Sequence, residues 1–241
     1  MKPFALLAAV LLLPALAGLR AQDTPVLRLM NGQTLPVTDL DDSTYTELRF
    51  TFDKNHFKRE KHHIRARRKA GDYFNTAITS PKAEQVPVVL REGKQNRDNV
   101  YSALYPSGRE KHYYFYDEEE GNYLTLEQME SYLAGQSDAL TAAAGRGWFW
   151  AGVGAGAAAG FATRGSIWAV AFPPLFALST QIPVVRIRDQ AISNPAFKYD
   201  EDYAAGFEKQ ARSRNLIQAL KGGAIGTALG LAVFAVIDNN F

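Results

Sequence analysis

The chain contains no cysteine. That excludes disulfides, thiolate metal sites, iron–sulfur clusters, a cysteine nucleophile and a lipidated N-terminal cysteine. Charge of one sign is not in excess either: 27 basic residues against 25 acidic ones leave a net charge of +2, so bulk charge names no partner. The catalytic signatures G-x-S-x-G, P-loop and H-E-x-x-H are missing, as is any acyl-transfer triad pattern. Acids are plentiful, but no spacing points to a catalytic pair. A mean hydropathy of -0.21 excludes a protein that is membrane from end to end.

What is present fits a folded chain long enough for one ordinary domain plus something, or for two small ones: 241 residues, 46% hydrophobic and 22% charged. Residues 1–21 read as a signal peptide. Lys2 supplies a positive start, 4–13 is an unbroken apolar run, Pro14 breaks it, and Ala15-Leu16-Ala17 is a small-x-small cleavage site, with Leu19-Arg20-Ala21 as a second. The remainder of the chain is therefore expected to be exported, and with no cysteine it must hold together by packing alone.

Residues 22–137 are expected to form an exported β-rich domain. Val26 to Met30 is a strand candidate, Asn31-Gly32 the strongest hairpin signal, and Thr34 to Leu40 the return strand, with Pro36 suggesting an edge position. From Tyr45 to Phe52, Leu48, Phe50 and Phe52 alternate with polar residues, which is the pattern of a half-buried strand. Residues 86–90, 99–105 and 111–116 are further strand candidates around a Pro106-Ser107-Gly108 turn, and His112 belongs to a tyrosine-rich strand. The expected class is α+β: an antiparallel β-meander or small open barrel of five or six strands with one short helix, then a membrane module. Thr125 and Gln128 have capping-box spacing for that helix, and Gly135 is its expected stop. The acidic run 117–120 reads as a solvated loop.

Residues 138–241 are expected to be a Gly-rich hydrophobic helical membrane module, with apolar segments near 147–163, 165–185 and 216–237. Trp148 and Trp150 sit where an interfacial aromatic anchor belongs, and Pro173-Pro174 should kink the second segment. Gly152, Gly156 and Gly160 lie four apart, as do Gly222, Gly226 and Gly230. Residues four apart share a helix face, and a glycine face lets two backbones approach closely inside lipid. These six are the expected helix-packing residues, against each other or a second copy. Gly152-Val-Gly154-Ala-Gly156-Ala157 also matches the loose dinucleotide fingerprint G-x-G-x-x-G/A, but no strand precedes it and no acid lies at the required distance beyond it.

Before the third segment, Tyr203, Phe207, Ala211 and Asn215 share a helix face, and Glu208 and Arg212 form an i,i+4 pair. Three spans would leave the basic 186–221 stretch outside, against the positive-inside bias; a re-entrant second segment would relieve this.

The main chemical oddity is a run of eight basic residues with Glu60 as its only acid: Lys54, Lys58, Arg59, Lys61, Arg65, Arg67, Arg68 and Lys69. Two readings stand: a solvated loop or exposed strand, or contact with an anionic surface such as lipid headgroups. Nucleic acid is disfavoured behind an export signal. A metal site from His56, His62 and His63 is disfavoured too, because adjacent residues on a strand point to opposite faces.

The order of an export signal, an Asn-Gly strand pair, Asn99-Val100-Tyr101-Ser102, Ser107-Gly108-Arg109-Glu110, Tyr116-Asp117, Leu126-Glu127-Gln128-Met129, Gly135-Gln136-Ser137-Asp138-Ala139, Gly-rich helices and Tyr203-Ala204-Ala205-Gly206-Phe207 resembles a group of uncharacterised exported envelope proteins of Bacteroidota-type bacteria. The resemblance implies layout and a cell-envelope compartment. It brings no activity, cofactor or catalytic residue. The functional expectation is a membrane-anchored, non-enzymatic envelope protein whose exported domain is an interaction module. The alternative is a small transporter or pore subunit. Expected partners are the lipid bilayer, and a second copy or another envelope protein; no cofactor, metal or nucleic acid is expected.

Overall fold

A computed structural model describes residues 24–142, 145–164 and 166–238. The expected signal peptide lies outside the described residues. The chain is α+β and forms two compact units. One takes residues up to 30, 34–56 and 87–114; the other takes 31–33, 57–86 and the residues from 115 on.

The first unit is a six-stranded antiparallel open sheet. Its strands are β1 (Val26–Leu29), β2 (Thr34–Asp41), β3 (Glu47–Asp53), β4 (Leu90–Asn96), β5 (Val100–Leu104) and β6 (Glu110–His112), in the order β4-β3-β2-β1-β5-β6. The first four strands are a meander, and β5 then returns beside β1. Asn96 and Val100 are joined through a single 3-10 turn, Arg97–Asn99. Four flat strand spacings would need about 19 Å, whereas four residue steps reach at most about 14 Å. The sheet must therefore curl. The turn is held at both sides, with Arg97 N–H donating to Thr46 O and Met30 N–H to Asn99 O, each 3.0 Å.

Hydrophobic alternation decides which face is inside. Leu27, Leu35, Val37, Leu48, Phe50, Val100 and Ala103 form the core, with Phe52 packed against it. Pro36 does not mark an edge strand, since β2 lies between β1 and β3. It marks a hand-over: Thr34 to Pro36 pair with β1, and pairing with β3 starts at Val37. The missing N–H thus falls where a proline is tolerated. Asn31-Gly32 does reverse the chain, but not as a two-residue turn. Leu29 pairs with Val100 across a bulge, Met30 bonds to Asn99, and Gly32 takes a φ of 74°. The fourth strand begins at Leu90 rather than Val86, and the sixth ends at His112, whose ring meets Tyr101 edge-on at 5.2 Å.

The helices are α1 (His56–Ala70), a single turn α2 (Pro81–Glu84), α3 (Leu126–Ala142), α4 (Arg146–Ala162), α5 (Ile167–Ser179) and α6 (Glu201–Asp238). The basic run is therefore a helix, not a loop or strand. Lys, Arg, Glu and Ala are strong helix formers, and no glycine or proline interrupts residues 56–70. On α3 the capping box closes: Gln128 N–H donates to Thr125 Oγ1 at 3.3 Å, and Thr125 N–H to Gln128 Oε1 at 3.0 Å. Gly135 does not stop α3, which runs on through the expected domain boundary at 137 to Ala142.

The helix expected to feed the third apolar segment is continuous with it. α6 has 38 residues and is the one described helix long and apolar enough to cross a membrane. The second segment is helical only over the 13 residues of α5, about 20 Å long. Between α5 and α6, two 3-10 turns, Asp189–Ala191 and Pro195–Tyr199, lie on a second core of Ala139, Ala191, Tyr203, Phe207 and Ala211. At its centre Asp138 is buried. One of its oxygens accepts Ser193 N–H at 2.8 Å and Tyr203 O–H at 2.7 Å. Burial pushes its carboxyl above the usual carboxylate range, and these two donors oppose that shift.

Candidate functional site

The two glycine ladders meet each other within one chain. A Cβ on Gly152 would stand 2.6 Å from Ala219 O, and Cβ atoms on the other five would be closer still to a carbonyl oxygen. Those oxygens are on Gly223 for Gly156, Thr227 for Gly160, Phe149 for Gly222, Val153 for Gly226 and Ala157 for Gly230. Partner numbers rise together on α4 and α6, so the two helices run parallel. Gly154, in the same segment but off the ladder, has nothing within 4 Å. The dinucleotide-like fingerprint is thus the middle of a helix, with two of its three glycines in a backbone contact.

The same device continues upstream, where sequence reasoning missed it. A Cβ on Gly135 would collide with Tyr203 O, and one on Gly206 with Tyr132 O. α3 and α4 are therefore laid end to end along α6. The available signal was Gly135 and Gly206, each inside an otherwise periodic helix. α5 returns antiparallel on this pair: Pro173 lies beside Gly223, Trp148 beside Phe176 at 6.4 Å, and Gln181 Nε2 donates to Arg212 O at 3.4 Å.

With glycine inside, the large apolar side chains point outward. Trp150, Trp168, Val170, Leu175, Leu178, Leu229, Val233 and Val236 are all at least half exposed. The bundle is small-residue within and bulky-apolar without.

The basic residues separate into different environments. Lys54 precedes α1 and is exposed. Arg67 pairs with Glu60, and Arg59 is part-buried. Arg68 turns to the C-terminus of α3, where its guanidinium donates to Thr141 O at 2.5 Å and Leu140 O at 3.2 Å. Arg214 of α6 donates to Ala139 O and Leu140 O of the same turn. The last carbonyls of a helix lack intrahelical partners and carry its negative dipole end, so two arginines fit there. Burial, with the nearby Arg214 charge, lowers the Arg68 guanidinium to about 10, so it stays charged at neutral pH. Lys58, Lys61, Arg65 and Lys69 recur at helical spacing along one stripe of α1, are exposed, and pair with no described acid.

Among the described residues no group of three or more His, Asp or Glu could hold a metal ion. His63 Nδ1 instead accepts Ser80 N–H at 3.3 Å. On the sheet, an open groove of about 550 Å³ runs over β3 and β4, where Glu47, Arg49, Glu92 and Lys94 alternate in sign and Lys94 bonds Glu47 at 3.0 Å. β4 is an edge strand, and the apolar residues leading into it, Val88, Val89 and Leu90, are exposed.

No family model matches the chain, and no curated protein and no solved structure is similar to it.

Proposed function

We propose that this is a membrane-anchored protein of a bacterial cell envelope, held in the bilayer by α4, α5 and the C-terminal half of α6, with an exported β-rich unit acting as a non-enzymatic interaction module. One observation carries the reading: the inverted distribution of side-chain size in the helical bundle. In the apolar window of α6 only 28% is buried, whereas a soluble core helix of that hydropathy is mostly buried. In water a belt of exposed Trp, Leu and Val would be an aggregation surface. In lipid it is the solvated face, and small residues inside supply the packing that holds helices together. The backbone contact of α4 with α6 supports an anchor over a conducting path between them, which was the pore alternative. The position of β4 at the edge of the sheet, beside the exposed side chains of Val88 and Val89, supports the interaction role.

The test uses the full chain in cells, where the lack of native cysteine leaves single-cysteine reporters clean. Alkaline carbonate should leave the protein in the membrane pellet. Ser107→Cys and Ser193→Cys should label from outside, and Arg164→Cys should not. Release by carbonate refutes the anchor. Ion flux through vesicles carrying the purified chain favours the pore.

A further inference from the structure

We propose that α1 is an interfacial helix whose Lys58, Lys61, Arg65 and Lys69 stripe binds the phosphates of anionic lipid headgroups. The inference rests on reading the α4–α6 bundle as membrane-embedded, and adds which lipid it prefers and what recognises it. The Arg68 bonds to Leu140 and Thr141 fix the C-terminal end of α1 at the end of α3. The apolar bundle begins a few residues later, at Arg146 and Trp148. The basic helix is therefore pinned where the apolar belt starts, the depth of a headgroup layer.

Charge complementarity supplies the second step. The same level carries exposed cations from other elements. Arg146 opens α4, and Arg186 and Arg188 flank Ile187, which packs against the second core. The far end of the belt has Arg164 and Asp238, one of each sign. At the α1 end the exposed cations thus outnumber the neighbouring acid Asp189, which itself pairs with Lys198 at 3.0 Å. Neighbouring like charges on a helix destabilise it, and an anionic surface relieves that repulsion along the whole stripe. Arg68 holds the helix in place, and the four outward cations meet the surface.

The experiment uses the full chain in lipid nanodiscs, with Ala70→Cys, exposed at the last residue of α1, carrying an environment-sensitive fluorophore. Discs of phosphatidylcholine alone are compared with discs containing added phosphatidylglycerol. Emission should shift to the blue as phosphatidylglycerol is added, and 1 M salt should reverse the shift. At about five-fold per cation near an anionic surface, replacing Lys58 and Lys61 with Gln should weaken the response to phosphatidylglycerol by about 25-fold. Replacing all four should abolish it. The wild-type lipid and salt comparisons do not depend on the variants folding. Equal emission in both lipids, with the chain still inserted, overturns this inference and leaves the anchor standing. A chain that fails to insert at all defeats the anchor instead. The same blue shift from inorganic phosphate in phosphatidylcholine discs also overturns it, because that would define an anion site rather than a lipid surface.

Discussion

The glycine seam makes a prediction of opposite signs within one helix. Gly→Ala in a helix interior ordinarily stabilises by about 1 kcal/mol, through helix propensity alone. At Gly154 nothing lies within 4 Å of a new Cβ, so Gly154→Ala should show that gain. At Gly152 the new carbon would stand 2.6 Å from Ala219 O and 2.9 Å from Gly223 N. A carbon sits about 3.3 Å or more from a carbonyl oxygen, so α4 and α6 must part by about 0.7 Å there. Both of these neighbours are backbone atoms and cannot rotate away. A gap of about 0.5–1 Å forfeits a quarter to a half of each dispersion contact, and overpacking of this kind costs about 1–3 kcal/mol. Gly152→Ala should therefore destabilise, and Gly156→Ala and Gly226→Ala should do so more, their approaches being closer. The assay is unfolding of the full chain in mild detergent by added dodecyl sulfate, followed by helical ellipticity. Equal effects at Gly152 and Gly154, in either direction, would refute a close backbone seam.

Three further outcomes rest on single contacts. Thr125→Ala should cost about 1 kcal/mol by opening the α3 capping box, with Thr125→Ser nearly neutral in the same denaturation assay. Arg68→Ala should cost about 1–3 kcal/mol by uncapping α3, whereas Lys58→Ala, on the outward stripe, should stay within about 0.5 kcal/mol of wild type. Asp138 titrates above its usual 3.8, so the folded state keeps that proton longer than the unfolded chain. The stability this confers is complete below about pH 3.8 and is lost as pH rises through the raised value. Asp138→Asn retains an acceptor for Ser193 and Tyr203, so its stability relative to wild type should increase with pH across that window. A pH-independent difference would place the titration elsewhere.

The sequence was most legible where one residue type has one physical use. Thr125 and Gln128 could be read directly, because a capping box is local and depends on no tertiary partner. The alternation of Leu48, Phe50 and Phe52 named the inner face of β3 for the same reason. The six ladder glycines were legible as a packing face, but which face meets which is set by tertiary register, and nothing local states that α4 and α6 run parallel. Gly135 was misread as a stop because a helix-ending glycine and a helix-packing glycine look alike until the partner backbone is known. In the basic run, charge density hid the helix propensity of the same residues. Arg68 was one of eight equivalent cations in sequence, and only the fold sets it on the carbonyls of α3. Asp138 gave no signal, since its partners Ser193 and Tyr203 lie far along the chain.

Because α4 and α6 run parallel, the chain must return between them. α5 makes that return with only 13 residues, about 20 Å of helix against a hydrocarbon core of about 30 Å. Residues 182–185, Ile-Pro-Val-Val, continue it without helical structure and lead to Arg186. Ile182 and Val184 are more than four-fifths exposed. Backbone groups left unpaired in hydrocarbon cost several kcal/mol each, so an extended strand of chain cannot lie deep in lipid. Two anchors resolve the shortfall: Gln181 reaches Arg212 O, and Val185 and Ile187 pack on the second core, outside the apolar belt. On the membrane-anchored reading proposed above, the bilayer boundary on this side falls near Gln181, and the hydrocarbon is locally thin around α5. A water-soluble maleimide should then label Val184→Cys in intact membranes and leave Leu175→Cys unlabelled, although both side chains are exposed on the protein itself. If Val184→Cys is as shielded as Leu175→Cys, the return pass lies deeper, and residues 183–185 must find their hydrogen-bond partners in another chain.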